Sequence, residues 1–213
     1  ASPSLLPRLR RMCLRDRVSP GQDSASRALL SYATDATWRA GVAVGHQLTD
    51  AAGMRASWIE QRSDGDINNI FLGRDDTNNI DESAGRLAFD LDINDVNVLV
   101  NYRFFDVDNG YDAFSLDNDR NTRSDQPGFD RNETHAGSIR LSGTNNRLSW
   151  LALLSASDSE LAYGYDEDLT FDGFHPKGYY SFDGYLRDIS QPEYTILFVS
   201  AQPVNMFAHQ VGC

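Results

Sequence analysis

The stretch "LAFDLDINDVNVLVNYRF", Leu87 to Phe104, decides how the whole chain is read. On its first arm Leu87, Phe89, Leu91 and Ile93 alternate with Ala88, Asp90 and Asp92. On its second arm Val96, Val98, Val100, Tyr102 and Phe104 alternate with Asn97, Leu99, Asn101 and Arg103. Successive side chains of a strand point to opposite faces, so a period of two marks a strand with one apolar and one polar face. Between the arms stand Asn94 and Asp95, residue types that tolerate the left-handed backbone a tight hairpin needs. The stretch therefore reads as a two-stranded antiparallel hairpin.

The same pattern continues in both directions. From Thr37 to Leu48, Trp38, Ala40, Val42, Val44, His46 and Leu48 form one face, and Thr37, Arg39, Gly41, Ala43, Gly45 and Gln47 the other. Met54 to Gln61 alternates less cleanly, because Ile59 and Glu60 fall on the wrong faces. Ser138 to Leu141, and then Trp150, Ala152 and Leu154, carry the pattern on. Short turn signals at Thr49-Asp50-Ala51, Asn94-Asp95 and Thr144-Asn145-Asn146 alternate with long polar segments, Arg62 to Asp81, Asp106 to Glu133 and Ser157 to Asp188. A β-sandwich spreads long loops over both ends. An outer-membrane barrel places short turns on one side and long loops on the other. The expected fold is thus all-β, an antiparallel meander of outer-membrane β-barrel strands. Trp38, Trp58, Tyr102, Phe104, Phe105 and Trp150 fall near the expected strand ends, where such barrels carry aromatic girdles.

Composition narrows the function classes. The 213 residues suit one or two domains. A formal net charge of −12 and a pI near 4.6 exclude the basic stripe that nucleic acid requires. No apolar run reaches the roughly 18 residues of a transmembrane helix. Cys13 and Cys213 are too few and too far apart to form a disulfide framework. The N-terminal Arg8, Arg10 and Arg11 are followed by no apolar stretch, so no signal peptide is expected there.

The acidic segments raise three readings: metal sites, solvated loops of a secreted β protein, or outer loops of a barrel. Asp106, Asp108, Asn109, Gly110 and Asp112 resemble a calcium loop, since hard cations take several oxygens from a tight glycine turn. Gly110 stands fifth, however, where the EF-hand pattern has its glycine sixth. The carboxylate pairs Asp75/Asp76, Asp81/Glu82 and Asp166/Glu167/Asp168 could serve glycoside hydrolysis only at a defined separation, which the sequence does not fix. His46, His135, His175 and His209 lack metal-ligand spacing. No nucleophile elbow, phosphate loop or CxxC occurs. No enzymatic activity and no cofactor are expected.

The loops themselves resemble those of a known family. "RSDGDINNIFLGRDDTNNIDE" (Arg62–Glu82), "VDNGYDAFSLDNDRNTRSDQPG" (Val107–Gly128), "SIRLSGTNNRLSWLALL", "YGYDEDLTF" and "FDGYLRD" look like loops and strands of TonB-dependent outer-membrane receptors. The likeness covers residues 29–188, leaving 1–28 and 189–213 as unmatched segments. It implies part of a barrel of about twenty-two strands, with the family's plug domain missing from these residues. It also implies a place in the outer membrane of a Gram-negative bacterium, among its lipids. The implied role is energised uptake of a scarce ligand: an iron–siderophore or other metal chelate, cobalamin or an oligosaccharide. The TonB energy-transducing complex is the implied partner. Ligand-contact candidates on the implied outer loops are Arg74, Asp75, Asp76, Tyr111 and Asp112. The alternative is a secreted all-β binding module whose acidic loop is calcium-stabilised through Asp106, Asp108 and Asp112.

Overall fold

The structure, a computed structural model, describes residues 26–145, 148–178 and 180–200. Ten strands form among them: β1 (Arg27–Tyr32), β2 (Trp38–Thr49), β3 (Ala52–Ser63), β4 (Asn68–Asn69), β5 (Ile80–Ile93), β6 (Val96–Tyr111), β7 (Asn121–Thr122), β8 (Gly128–Thr144), β9 (Leu148–Asp166) and β10 (Phe182–Ser200). Eight pair antiparallel in the order β1-β2-β3-β5-β6-β8-β9-β10. The fold is the expected all-β meander, and the described residues contain no helix. The sheet is open, with β1 and β10 at its edges. The two-residue strands β4 and β7 pair in parallel above it.

The local reasons are those of the hairpin. Ile93 faces Val96 across the Asn94-Asp95 turn, and Asn94 takes the positive φ of 54° that the turn demands. Directly opposed residues share a face. Val100 opposes Phe89 and Ile139, Phe89 opposes Met54, and Ile139 opposes Leu154, which opposes Tyr194. One face is therefore an apolar band running from the Val96 level to the Phe104 level. At its upper edge Trp58 and Phe104 meet at 4.9 Å between ring centroids. The Phe104 ring fills the space that a Cβ on Gly85 would occupy.

Nothing among the described residues covers this band. Val44, Trp58, Tyr102, Ile139 and Leu154 are each 43–46 % exposed. The buried hydrophobic residues among those described are only Ile67, Ala88 and Val107. The opposite face is polar. Asn97 donates to Asp90 and Asp92, and Arg86 donates to Asn101 from Nε at 3.2 Å and Nη2 at 2.7 Å.

The strands run further than the alternation suggested. β6 continues to Tyr111, β8 begins at Gly128, β9 continues to Asp166 and β10 begins at Phe182. The long connections shrink accordingly to 64–79, 112–127 and 167–181. Above the apolar band the same face turns acidic, with Asp106, Glu133, Glu160 and Asp188 directly opposed in succession. The band's face is polar there while the opposite face mixes Phe105, Val107 and Leu161 with polar residues, so the alternation fades while the backbone ladder continues. For the same reason Trp58, Tyr102, Phe104 and Phe105 lie inside their strands rather than at the ends, just below the carboxylate row. Glu60, out of phase in the sequence, belongs to that polar level and pairs with Arg62 at 3.1 Å.

β10 pairs with β9 along its whole length, from Phe182↔Asp166 to Ser200↔Leu148, and so includes residues 189–200 of the segment that resembled nothing. Residues 1–25 and 201–213, with Cys13 and Cys213, lie outside the described residues.

Candidate functional site

The three long connections leave the sheet at one end and interlock. Asn68 opposes Asn121 and Asn69 opposes Thr122 in the β4–β7 ladder, which ties the first loop to the second. Asn69, Thr122, Ser124 and Thr170 are fully buried. The Asn69 amide donates to Asp112 Oδ2 at 2.9 Å and to the Ser124 carbonyl at 2.8 Å. Asp112 Oδ2 also accepts from the Thr77 hydroxyl at 2.7 Å, and its Oδ1 accepts from the Thr122 hydroxyl at 3.1 Å.

The third loop joins through backbone and rings. The Asp125 amide donates to the Thr170 carbonyl at 2.9 Å, and Phe71 stacks on Phe171 at 4.4 Å. Within this loop Asp168 accepts from the Thr170 amide and hydroxyl through Oδ1, and from the Ser181 amide through Oδ2. Burial works against the charged carboxylate, but these hydrogen bonds outweigh it and hold Asp168 below the usual aspartate range. The loops therefore form a polar cap with a hydrogen-bonded interior.

The candidate ligand contacts divide between three surroundings. Arg74 and Asp76 pair at 2.7 Å on the exposed surface, with Asp75 exposed beside them. Their hydrogen bond raises the Arg74 guanidinium and lowers the Asp76 carboxyl from their ordinary values. The pair lines a depression of about 350 Å³ that also holds Asp108 and Arg131, themselves paired at 2.6 Å.

Tyr111 sits elsewhere, on the polar face of the sheet. It packs against Tyr163 at 4.9 Å, Phe114 at 5.8 Å and Tyr165 at 6.4 Å. It lines a second depression of about 470 Å³ with Asp35, Asp66, Asn78, Asn109 and Asp130. Asp112 is in neither, being 5 % exposed inside the cap.

Asp106, Asp108 and Asp112 do not converge. The first two alternate along β6 on the face of the apolar band, and Asp108 is held by Arg131. Same-face residues of a strand stand about 7 Å apart, too far to wrap one cation as a loop does. Among the described residues no three His, Cys, Asp or Glu side chains form a group that could hold a metal ion.

Sequence reasoning missed Asn69, Thr122, Ser124 and Thr170 of the cap interior, and met Asp168 only as one of a run of carboxylates. A buried and a solvated Asn look alike in a sequence, and these contacts join residues far apart in the chain.

Comparison of the chain with known protein families, with curated proteins and with solved structures finds no match. Among the described residues no helix is long and apolar enough to cross a membrane, a statement that does not concern strands.

Proposed function

We propose that this chain is a segment of the wall of an outer-membrane β-barrel of the TonB-dependent receptor class, serving energised uptake of a scarce ligand. The observation that carries the reading is the uncovered apolar band of the eight-stranded sheet. From Val96 to Phe104 it spans about 27 Å of strand at ~3.4 Å per residue, or about 21 Å once a tilt of ~40° is taken out. Barrels of the outer membrane present an apolar band about 25 Å tall. A soluble protein of this size would bury such side chains in a core, because burial is worth about 25 cal/mol per Å². Here lipid would supply that burial.

The one-sided loops support an orientation with the cap outside and the short turns toward the periplasm. The polar face would line the lumen. In the complete receptor the ligand would be a metal chelate, cobalamin or an oligosaccharide. The TonB complex would supply the energy, and the barrel would do no covalent chemistry. The loop sequences Arg62–Glu82 and Val107–Gly128 are what select this class among barrels.

Sequencing the DNA on both sides of this segment tests the receptor class. The expected result is a plug domain upstream and further alternating strands downstream. A free-standing reading frame without them would retire the uptake reading.

A further inference from the structure

Among the described residues, four of the chain's nine tyrosines meet at the loop end of the polar face. Asn109, Asp130, Tyr163 and Tyr185 are directly opposed in succession on β6, β8, β9 and β10. The row crosses three strand spacings, roughly 14 Å at about 4.8 Å each. Tyr111 stands two residues beyond Asn109 on the same face, with its ring 4.9 Å from that of Tyr163. Tyr163 in turn meets Tyr185 at 5.5 Å and Tyr165 at 6.0 Å. Tyrosines placed only as strand formers would scatter over the sheet, whereas these touch one another. Tyr185 is 56 % exposed, so the far end of this platform is open. On a face otherwise rich in polar residues, a contiguous exposed aromatic patch marks a contact surface for a ligand.

At its other end the row opens into the depression of about 470 Å³ that Tyr111, Asn109 and Asp130 share with Asn79, Asp35 and Asp66. Two of its amides are held in place. Asn79 Oδ1 accepts from the Gly110 amide at 3.0 Å. Asn109 Oδ1 accepts from the Asp81 amide at 2.8 Å, while its Nδ2 donates to Glu82 at 3.0 Å. Each side-chain carbonyl is thus anchored, and each amide nitrogen keeps a hydrogen to donate. The charged residues lining the depression are Asp35, Asp66 and Asp130, with Arg120 at 3.8 Å from Asp66. Ionised carboxylates are acceptors, and their sign disfavours an anionic ligand.

We propose that this row and depression bind a neutral oligosaccharide. A sugar ring has a face of C–H bonds, which lies flat on an aromatic ring, and an edge of hydroxyls, which donate and accept. Tyr163 and Tyr185 take the face of one ring. Asp130 accepts from the hydroxyls of the next ring, and the amides of Asn79 and Asn109 donate to them, with Tyr111 closing the side. Aromatic surface beside a few fixed polar groups in a concave site is the usual form of a small-molecule site. Of the ligand classes named above, the acidic lining turns away a negatively charged metal chelate and suits the uncharged sugar. As a statement about cargo the inference rests on the uptake reading above; as a statement about binding it does not.

The test is calorimetric titration of the full chain, folded in a polyoxyethylene detergent that carries no sugar, with maltotriose, cellotriose and triacetylchitotriose. At least one of these should bind saturably, in the millimolar range or tighter. Tyr185→Ala should weaken that sugar about tenfold and Asp130→Ala about fivefold, whereas Tyr185→Phe, which keeps the ring, should bind as before. Tyr194→Ala, on the apolar face of the same strand, should change nothing. Should the alanine variants fail to fold, the unmodified chain with isotope-labelled tyrosine rings reads the same point. The sugar should then shift the resonances of Tyr111, Tyr163 and Tyr185 and leave those of Tyr102 and Tyr194 in place. Failure of all three sugars to bind, or undiminished binding in the folded alanine variants, would overturn the proposal.

Two charged sugars test the sign of the site. Anionic trigalacturonate should bind more weakly than the best neutral sugar, and the cationic glucosamine trimer no more tightly than it. Either reversal would overturn the assignment to a neutral ligand. Sugar binding without insertion of the chain into lipid vesicles would retire the uptake reading and leave this site standing. Insertion without sugar binding would do the reverse.

Discussion

Asp112 illustrates what a carboxylate can do in these loops. By sequence it is one acidic residue among many, and a contact for a ligand. In the structure both its oxygens are occupied by Asn69, Thr77 and Thr122. Asp112→Ala would leave those donors buried and unpaired, at a cost of about 2–4 kcal/mol. Urea denaturation should record that loss, and a change under about 0.5 kcal/mol would mean the cap does not depend on it. Arg74→Ala, by contrast, removes an exposed pair of the kind worth about 0–1 kcal/mol, and the same titration should hardly move.

Asp168 adds a pH dependence. Its folded pKa lies below the ordinary value of 3.8, so its contribution to stability is complete above that value. The contribution disappears as the pH falls through the lowered folded value. The Ser181 amide resonance should therefore hold its position down to about pH 4 and shift only below it. A shift beginning near neutrality would contradict this assignment. Such residues were not legible in advance, because the bonds Asn69 makes reach 43 and 55 residues along the chain.

At the scale of the strand, much was legible. Leu87–Ile93 and Val96–Phe104 declare themselves because a single apolar face imposes a period of two. Their outer ends do not, because Asp106, Asp108, Arg131 and Glu133 are polar on a face that is apolar lower down. The alternation thus marks the apolar band rather than the strand, and it understates every strand that extends beyond that band.

Two predictions belong to this scale. Ile139→Arg places a charge in the middle of the band, at the Val100 level, and should cost about 2–4 kcal/mol in lipid, whereas Ser138→Arg, on the polar face, should be tolerated. Folding titrations in lipid vesicles measure both, and equal tolerance of the two would deny that the band faces lipid. Asn94→Val puts a β-branched residue at a positive φ and should cost about 1–3 kcal/mol. Asn94→Gly should restore that loss.

For the whole molecule, an eight-stranded open sheet leaves an apolar band exposed on one face and buries three hydrophobic residues among those described. Its interior is instead the polar cap at one end. Such a distribution suits a solvent that is apolar along the band and aqueous above it. The most direct measurement places the three tryptophans in that solvent. Trp58 lies in the band, whereas Trp38, level with Arg62 and Asp81, lies above it. Variants keeping only Trp58 or only Trp38 should be refolded into vesicles whose acyl chains carry bromine, and their fluorescence read with iodide in the water. The account predicts that bromine quenches Trp58 and iodide does not, with the opposite result for Trp38. Iodide quenching of Trp58, with bromine without effect, would contradict the membrane reading.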